Sequence, residues 1–195
     1  MFGRNLTRAE AEAMQNAESM VTLVTRKGEV RGWAHEDDVH TFGMRRMHKA
    51  MQIFVWSPDR EDIIIKFNLS GEREHTWSPV GTHIYFREDY YSAAVRELNA
   101  KLGLGLSMNA AQKRMRYVFQ QDACIGTKME HIRVYSFVLN YGEVMKSKEP
   151  LLALPFDSIK NSIHNVDLIT APVFRMLISR FSREFTTSPK WRDML

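Results

Sequence analysis

The side chains able to do chemistry in this chain are carboxylates, imidazoles, guanidinium groups and one thiol, and their spacing sorts them. In FREDYYSAAVRELNAKLGL (86–104), Glu97 precedes Lys101 by four residues. On a helix that order sets the two on one face as a pair. Glu88 and Arg96 can form a second pair bracing the preceding loop onto the helix. Two basic clusters, Arg45-Arg46-Met47-His48-Lys49 and Lys113-Arg114-Met115-Arg116, could hold phosphates, and the second leads into Tyr117 and Phe119, which could stack bases. Of the seven histidines, each taken alone is more often a hydrogen-bonded residue than a metal ligand. Cys124 is the only cysteine, so there is neither a disulfide framework nor a thiolate cluster, which suits a reducing, cytoplasmic address. No P-loop, dinucleotide fingerprint or serine nucleophile elbow is present.

Something must position these groups, and the composition allows it. The 195 residues are 44% hydrophobic and 26% charged, a globular balance that excludes disorder and coiled coil and fits one domain over 1–195 with terminal helices as extensions. The net charge of +4 suits a phosphorylated small molecule or a polyanion without demanding either. Arg4, Arg8, Glu10 and Glu12 interrupt the first segment, and no run approaches the roughly 18 apolar residues of a membrane span, so no membrane role is expected.

Thr7 with Glu10 three places on has capping-box spacing and predicts a helix over about 7–19. Residues 20–25 and 29–34 flank Gly28 as a β-hairpin, and 50–56 and 62–68 form a second strand pair. Ala94, Leu98 and Leu102 make one stripe of a helix over 90–102 that Gly103 ends. Strand-like runs follow at 116–120, 131–140 and 151–156, then a short helix from Asp157. A last helix over about 170–186 starts near Pro172 and carries Phe174, Leu177, Ile178, Phe181 and Phe185 on one face. Strands mixed with helices in this order predict an α+β fold.

The stretch 81–104 resembles the Nudix box: Gly, five residues, Glu, seven residues, then Arg-Glu-aliphatic-x-Glu-Glu-x-Gly-aliphatic. Arg96-Glu97-Leu98 and Gly103-Leu104 fix the alignment and Glu88 matches the first acidic position. The opening glycine falls on Thr82, beside Gly81, and the two later glutamates on Ala100 and Lys101. Over about residues 20–160 the chain is also similar to the isopentenyl-diphosphate isomerase branch of that superfamily. In that branch three histidines and an E-x-E pair hold a metal; His40, His48 and His83 fall at the histidine places and Glu130 at the first carboxylate. The second carboxylate becomes Ile132 and the isomerase cysteine becomes Gly81, so the acid and base that allylic isomerisation needs are missing.

This resemblance implies a Nudix fold, a mixed β-sheet sandwiched between helices. It implies a divalent-metal-dependent hydrolase of a diphosphate-linked small molecule, weakened by the two lost glutamates. Glu88 and Glu97 would be catalytic and hold magnesium or manganese. His40, His48, His83 and Glu130 form a three-nitrogen, one-oxygen set suited also to zinc. Arg45, Arg46 and Lys49 would grip the diphosphate and Trp77, in the loop before Gly81, would wall the pocket, although a tryptophan of this kind more often fills core. The competing reading is a ligand-binding or regulatory module that keeps the pocket without the chemistry. Nucleic acid is not the expected partner, and a homo-oligomer is left open.

Overall fold

The computed structural model describes residues 7–13, 19–41, 46–57, 62–67, 77–125, 128–144 and 151–155. Helix α1 (Arg8–Ala13) opens with the expected reciprocal cap: the Thr7 amide donates to Glu10 Oε2 at 2.8 Å, and the Glu10 amide to Thr7 Oγ1 at 3.3 Å. Residues 14–18 of the helix expected over 7–19 lie outside the described residues, as do the helices expected from Asp157 and over 170–186.

Strands β1 (Met20–Val24) and β2 (Val30–His35) form the first antiparallel hairpin. At its turn Gly28 has φ 81°, and a Cβ there would stand 2.8 Å from His131 Nε2, so both the backbone and the space require glycine. The single-turn helix α2 (Glu36–His40) follows, with Glu36, Asp37 and Asp38 at its positive end. Five residues are too few to show a helical period, which is why the sequence pattern does not reveal it.

Strand β3 (His48–Ser57) is the spine, buried along nearly its whole length as an interior strand must be. One of its edges meets β1 at Leu23–His48, β6 (Val80–His83) and β4 (Asp62–Phe67), all antiparallel. Its other edge runs parallel to β8 (Lys128–Val138), which hairpins onto β7 (Met115–Ile125). β4 also pairs with β5 (Trp77–Ser78) and β9 (Leu151–Pro155). Trp77, expected in a loop, therefore opens a strand opposite Phe67; its side chain lies outside the described residues. All these strands join one mixed sheet.

Helix α3 (Tyr90–Leu102) has the expected bounds. Asp89 caps it by accepting from the Ser92 amide at 2.7 Å, and Gly103, φ 64°, closes it with an amide bond to the Asn99 carbonyl. Its Ala94, Leu98 and Leu102 are fully buried against Met51, Ile53, Val55 and Phe137. Each such leucine stabilises the packing by about 1.5–3 kcal/mol. Short helices α4 (Met108–Arg114) and α5 (Tyr141–Val144) complete the described elements. No helix among them is long and apolar enough to cross a membrane.

Candidate metal centre and adjoining cavity

Successive side chains of a strand leave on opposite faces, and β3 uses this to separate two environments. Met51, Ile53 and Val55 meet α3, whereas His48, Ala50 and Gln52 face the other way. Register does the rest. The parallel pairing sets Glu130 of β8 beside His48, and the antiparallel pairing sets His83 of β6 beside Ala50, all on the face away from α3. Helix α2 delivers His40 to the same place.

The ligating atoms of His40, His48 and His83 lie within 4.8 Å of one another. His40 Nε2 and His83 Nε2 are 3.3 Å apart, and His83 Nε2 is 3.9 Å from Glu130 Oε1. His48 is fully buried; its Nδ1 donates to the Arg46 carbonyl at 3.0 Å, which leaves Nε2 a bare lone pair with no hydrogen-bond partner. His83 Nδ1 donates to Glu36 Oε1 at 2.9 Å, turning its Nε2 toward His40, and Glu36 Oε2 accepts from the Tyr85 hydroxyl at 2.8 Å. A carboxylate behind a ligating imidazole fixes the tautomer and orientation that metal binding needs.

These residues fit a transition-metal ion. Two nitrogens each about 2.05 Å from one tetrahedral ion stand about 3.3 Å apart, the separation seen between His40 and His83. Three imidazoles with one carboxylate suit zinc, manganese or iron better than magnesium.

The charges agree. Burial, aided by the charge of His83, pushes His48 down to about 4, so it is neutral at neutral pH; burial and then His83 lower His40 as well. Burial alone would lower His83 too, but the carboxylates of Glu130 and Glu36 outweigh it and raise His83 to about 9. The His83 hydrogen bond, with that of Tyr85, holds Glu36 near 2 against burial.

A cavity of about 230 Å³ opens beside this cluster, between the free edge of β6 and α3, with His83, Glu130 and Glu36 on one side and Arg96 and Glu97 on the other. Gly81 and Gln52 also line it, so the place of the isomerase cysteine carries no side chain. Ile132, in place of the second isomerase carboxylate, is fully buried.

The helix carboxylates are engaged differently. Glu88 accepts from Arg96 Nε at 2.7 Å, from Arg96 Nη2 at 3.0 Å and from the Tyr85 amide at 3.1 Å, so it braces the loop and does not line the cavity. Glu97 does line it, and pairs with Arg96 Nη1 at 3.4 Å. Arg96 also donates to Thr82 Oγ1 and the His83 carbonyl, with its guanidinium 4.5 Å from the Tyr85 ring centroid.

Of the residues expected to grip phosphate, Arg46 and Lys49 are described and neither lines this cavity, and Arg46 Nη1 is buried with no hydrogen-bond partner. Arg45 lies outside the described residues, Arg46 offers its carbonyl to His48, and Lys49 leaves β3 on the face opposite the histidines. Sequence reasoning missed Glu36 and Tyr85. The signal was there in Glu36 standing four residues before His40, one helical turn apart.

No protein-family model matches the sequence, and neither does any curated protein. Solved structures do match in three dimensions. The chain is similar to the DR0079 protein of Deinococcus radiodurans, with a TM-score of 0.61 at 17% identity over 80% of this chain and 98% of that one. It is similar to the C-terminal domain of mouse MUTYH, solved with human PCNA, with a TM-score of 0.52 at 18% identity over 68% and 88%. It is also similar to a Francisella tularensis bifunctional NMN adenylyltransferase/ADP ribose pyrophosphatase, solved with AMP and manganese, with a TM-score of 0.50 at 13% identity over 68% and 41%. The chain has the α+β Nudix fold.

Proposed function

We propose that this chain is a divalent-metal-dependent hydrolase of a diphosphate-linked small molecule, with His40, His48, His83 and Glu130 holding the metal. The observation that carries this reading is the convergence of three imidazoles, one of them with a buried, unpartnered Nε2 facing its neighbours. A bound ion would supply Lewis acidity toward phosphoryl oxygen and a water acidified toward neutrality. Glu36 orients His83 and Tyr85 holds Glu36. Glu97, steadied by Arg96 on the far wall, would accept a proton from a water in the cavity. The fold supports the reading too, since the Francisella tularensis protein that shares it is named in part as a pyrophosphatase.

A second reading has its own observation. Among the described residues lining the cavity Arg96 is the only Arg or Lys, and it is engaged by Glu88, Glu97, Thr82 and the His83 carbonyl. A ligand-binding module would hold a ligand against this guanidinium without turning it over. Metal analysis of the purified protein, followed by phosphate release from a panel of diphosphates with and without chelator, separates the two. A stoichiometric transition metal with chelator-sensitive release supports the hydrolase. The same metal without release, alongside saturable diphosphate binding, favours the module, and no metal at all removes both forms of the centre.

A further inference from the structure

The face of the sheet that carries α3 holds a charge arrangement the metal centre does not use. Lys49 on β3 pairs in register with His131 on β8, and Met51 pairs with Arg133, so Lys49 and Arg133 are diagonal neighbours on that face. Both are half-buried, and neither has a carboxylate partner among the described residues. Asp122, the nearest acid on β7 by register, is held by His131 Nδ1 at 2.7 Å. Two half-buried cations side by side without a counter-ion repel one another, and an anion between them relieves that repulsion.

Aromatic rings surround the pair. Arg133 lies 4.5 Å from the centroid of Tyr90, whose hydroxyl is buried with no hydrogen-bond partner, and its Nε donates to Gln120 at 3.2 Å. Tyr135 carries Tyr90, Tyr91 and Tyr117 about itself at 5.9, 6.4 and 5.8 Å between centroids. Tyr117, opposite Tyr135 on the outer strand β7, is 56% exposed, the largest exposure of any apolar ring described. One strand spacing and two residue steps separate Arg133 from Tyr117, about 8 Å, the scale of a phosphate-to-base reach.

We infer that Lys49, Arg133 and Tyr117 form a nucleotide-binding surface on the sheet face opposite the histidines, with phosphate oxygens between the two cations and the base against the Tyr117 ring. The same chemistry is offered by a free nucleotide and by a unit of a single-stranded nucleic acid. The surface is separate from the proposed hydrolase site and does not depend on it.

Fluorescence anisotropy with a labelled octameric oligothymidylate, and calorimetry with AMP and with inorganic phosphate, test this on the full chain. Lys49→Gln/Arg133→Gln should weaken AMP and oligonucleotide about tenfold or more, the loss of one or more good contacts. Tyr117→Ala should weaken both nucleotides and leave phosphate unchanged. Oligonucleotide bound more tightly than AMP, with a log–log salt slope near −1.4 for about two phosphates that flattens in the double variant, assigns the chain form. Equal affinity with no such slope assigns the free nucleotide. Lys49→Arg/Arg133→Lys, which keeps both charges, guards against misfolding and should bind nearly as the parent does. The inference is overturned by absence of binding up to millimolar ligand, by phosphate binding as well as AMP with Tyr117→Ala silent, or by loss of binding in His83→Ala instead.

Discussion

Two polar regions adjoin one cavity, and their polar atoms are engaged differently. At α3 and the loop before it the carboxylates close on Arg96: Glu88 is taken up by Arg96 and the Tyr85 amide, and Glu97 pairs with the same guanidinium. In the imidazole cluster His83 Nδ1 is tied to Glu36 and His48 Nδ1 to the Arg46 carbonyl, while His48 Nε2 has no hydrogen-bond partner and His83 Nε2 meets His40 and Glu130. The first arrangement makes a rigid loop and the second makes a ligand set. Glu88 of the box thus braces the loop, whereas the dispersed histidines include a buried nitrogen with unused coordination capacity.

Removing an inward nitrogen should break this contrast most strongly. His48→Ala or His83→Ala is expected to take bound transition metal from about one ion per chain to near none. The loss should exceed the ~10–100-fold that removal of a mere orienting partner costs. Metal content after gel filtration against a weak chelator reads this, and retention of metal in both variants would show that the cluster holds none. Glu36→Gln removes only the orienting carboxylate, so affinity should fall by ~10–100-fold, with a smaller fall for Tyr85→Phe.

Protons compete with metal at His83 and not at His48. Raised to about 9, His83 is protonated at neutral pH in the metal-free chain, whereas His48, near 4, is neutral. Metal uptake at pH 7 should therefore release about one proton, read as a buffer-dependent binding enthalpy. Linkage gives the stability of the metal-free chain. The His83 contribution is full below its ordinary 6.5 and is lost as pH rises through 9; the Glu36 contribution is full above 4.5 and is lost as pH falls through 2. His48, lowered, works the other way and weakens the fold as pH falls from 6.5 toward 4. Tm in chelator should decline from pH 6.5 to 9 more steeply than Tm with metal, and parallel curves would contradict the raised His83.

Where the sequence is periodic it is legible. The stripe Ala94, Leu98, Leu102 with Gly103 behind it marks α3 because burial and a left-handed cap leave direct residue signatures. The β1–β2 hairpin is equally plain from Gly28 and its flanking β-type runs. Helix α2 is hidden because one turn has no period, and with it goes Glu36. The histidine set is nameable through a resemblance, but its convergence depends on strand register, His48 against Glu130 and Ala50 against His83, which no local pattern encodes. Lys49 illustrates the other limit, since one position along a strand reverses the face, and a basic cluster in sequence becomes two environments in space.

The α3 side should respond in stability rather than in metal. Glu88→Gln keeps the shape of the side chain and removes the charge that meets Arg96 and the Tyr85 amide, so it should lower stability by about 1–3 kcal/mol, the cost of an unmatched, partly buried charge-assisted network. Metal content should be unchanged. Denaturant midpoints and metal analysis on the same sample distinguish Glu88→Gln from Glu36→Gln as mirror images, and a shared phenotype would merge the two regions into one.

The smallest structural effect is expected from restoring the box. Ala100 and Lys101 stand three and four residues after Glu97 and so share its side of α3, one exposed and the other partly so. Ala100→Glu with Lys101→Glu should therefore leave stability within about 0.5 kcal/mol of the parent. The chemical consequence depends on what limits turnover. If magnesium held against a diphosphate is the missing element, the double variant gains magnesium-dependent phosphate release in proportion to its new carboxylates, and Glu97→Gln in that background removes the gain. If the imidazole centre carries the chemistry, added carboxylates leave the metal-dependent rate where it was, and only His48→Ala or His83→Ala abolishes it. Rates measured with magnesium alone and with zinc or manganese alone thus assign the reacting ion to one wall of the cavity or the other.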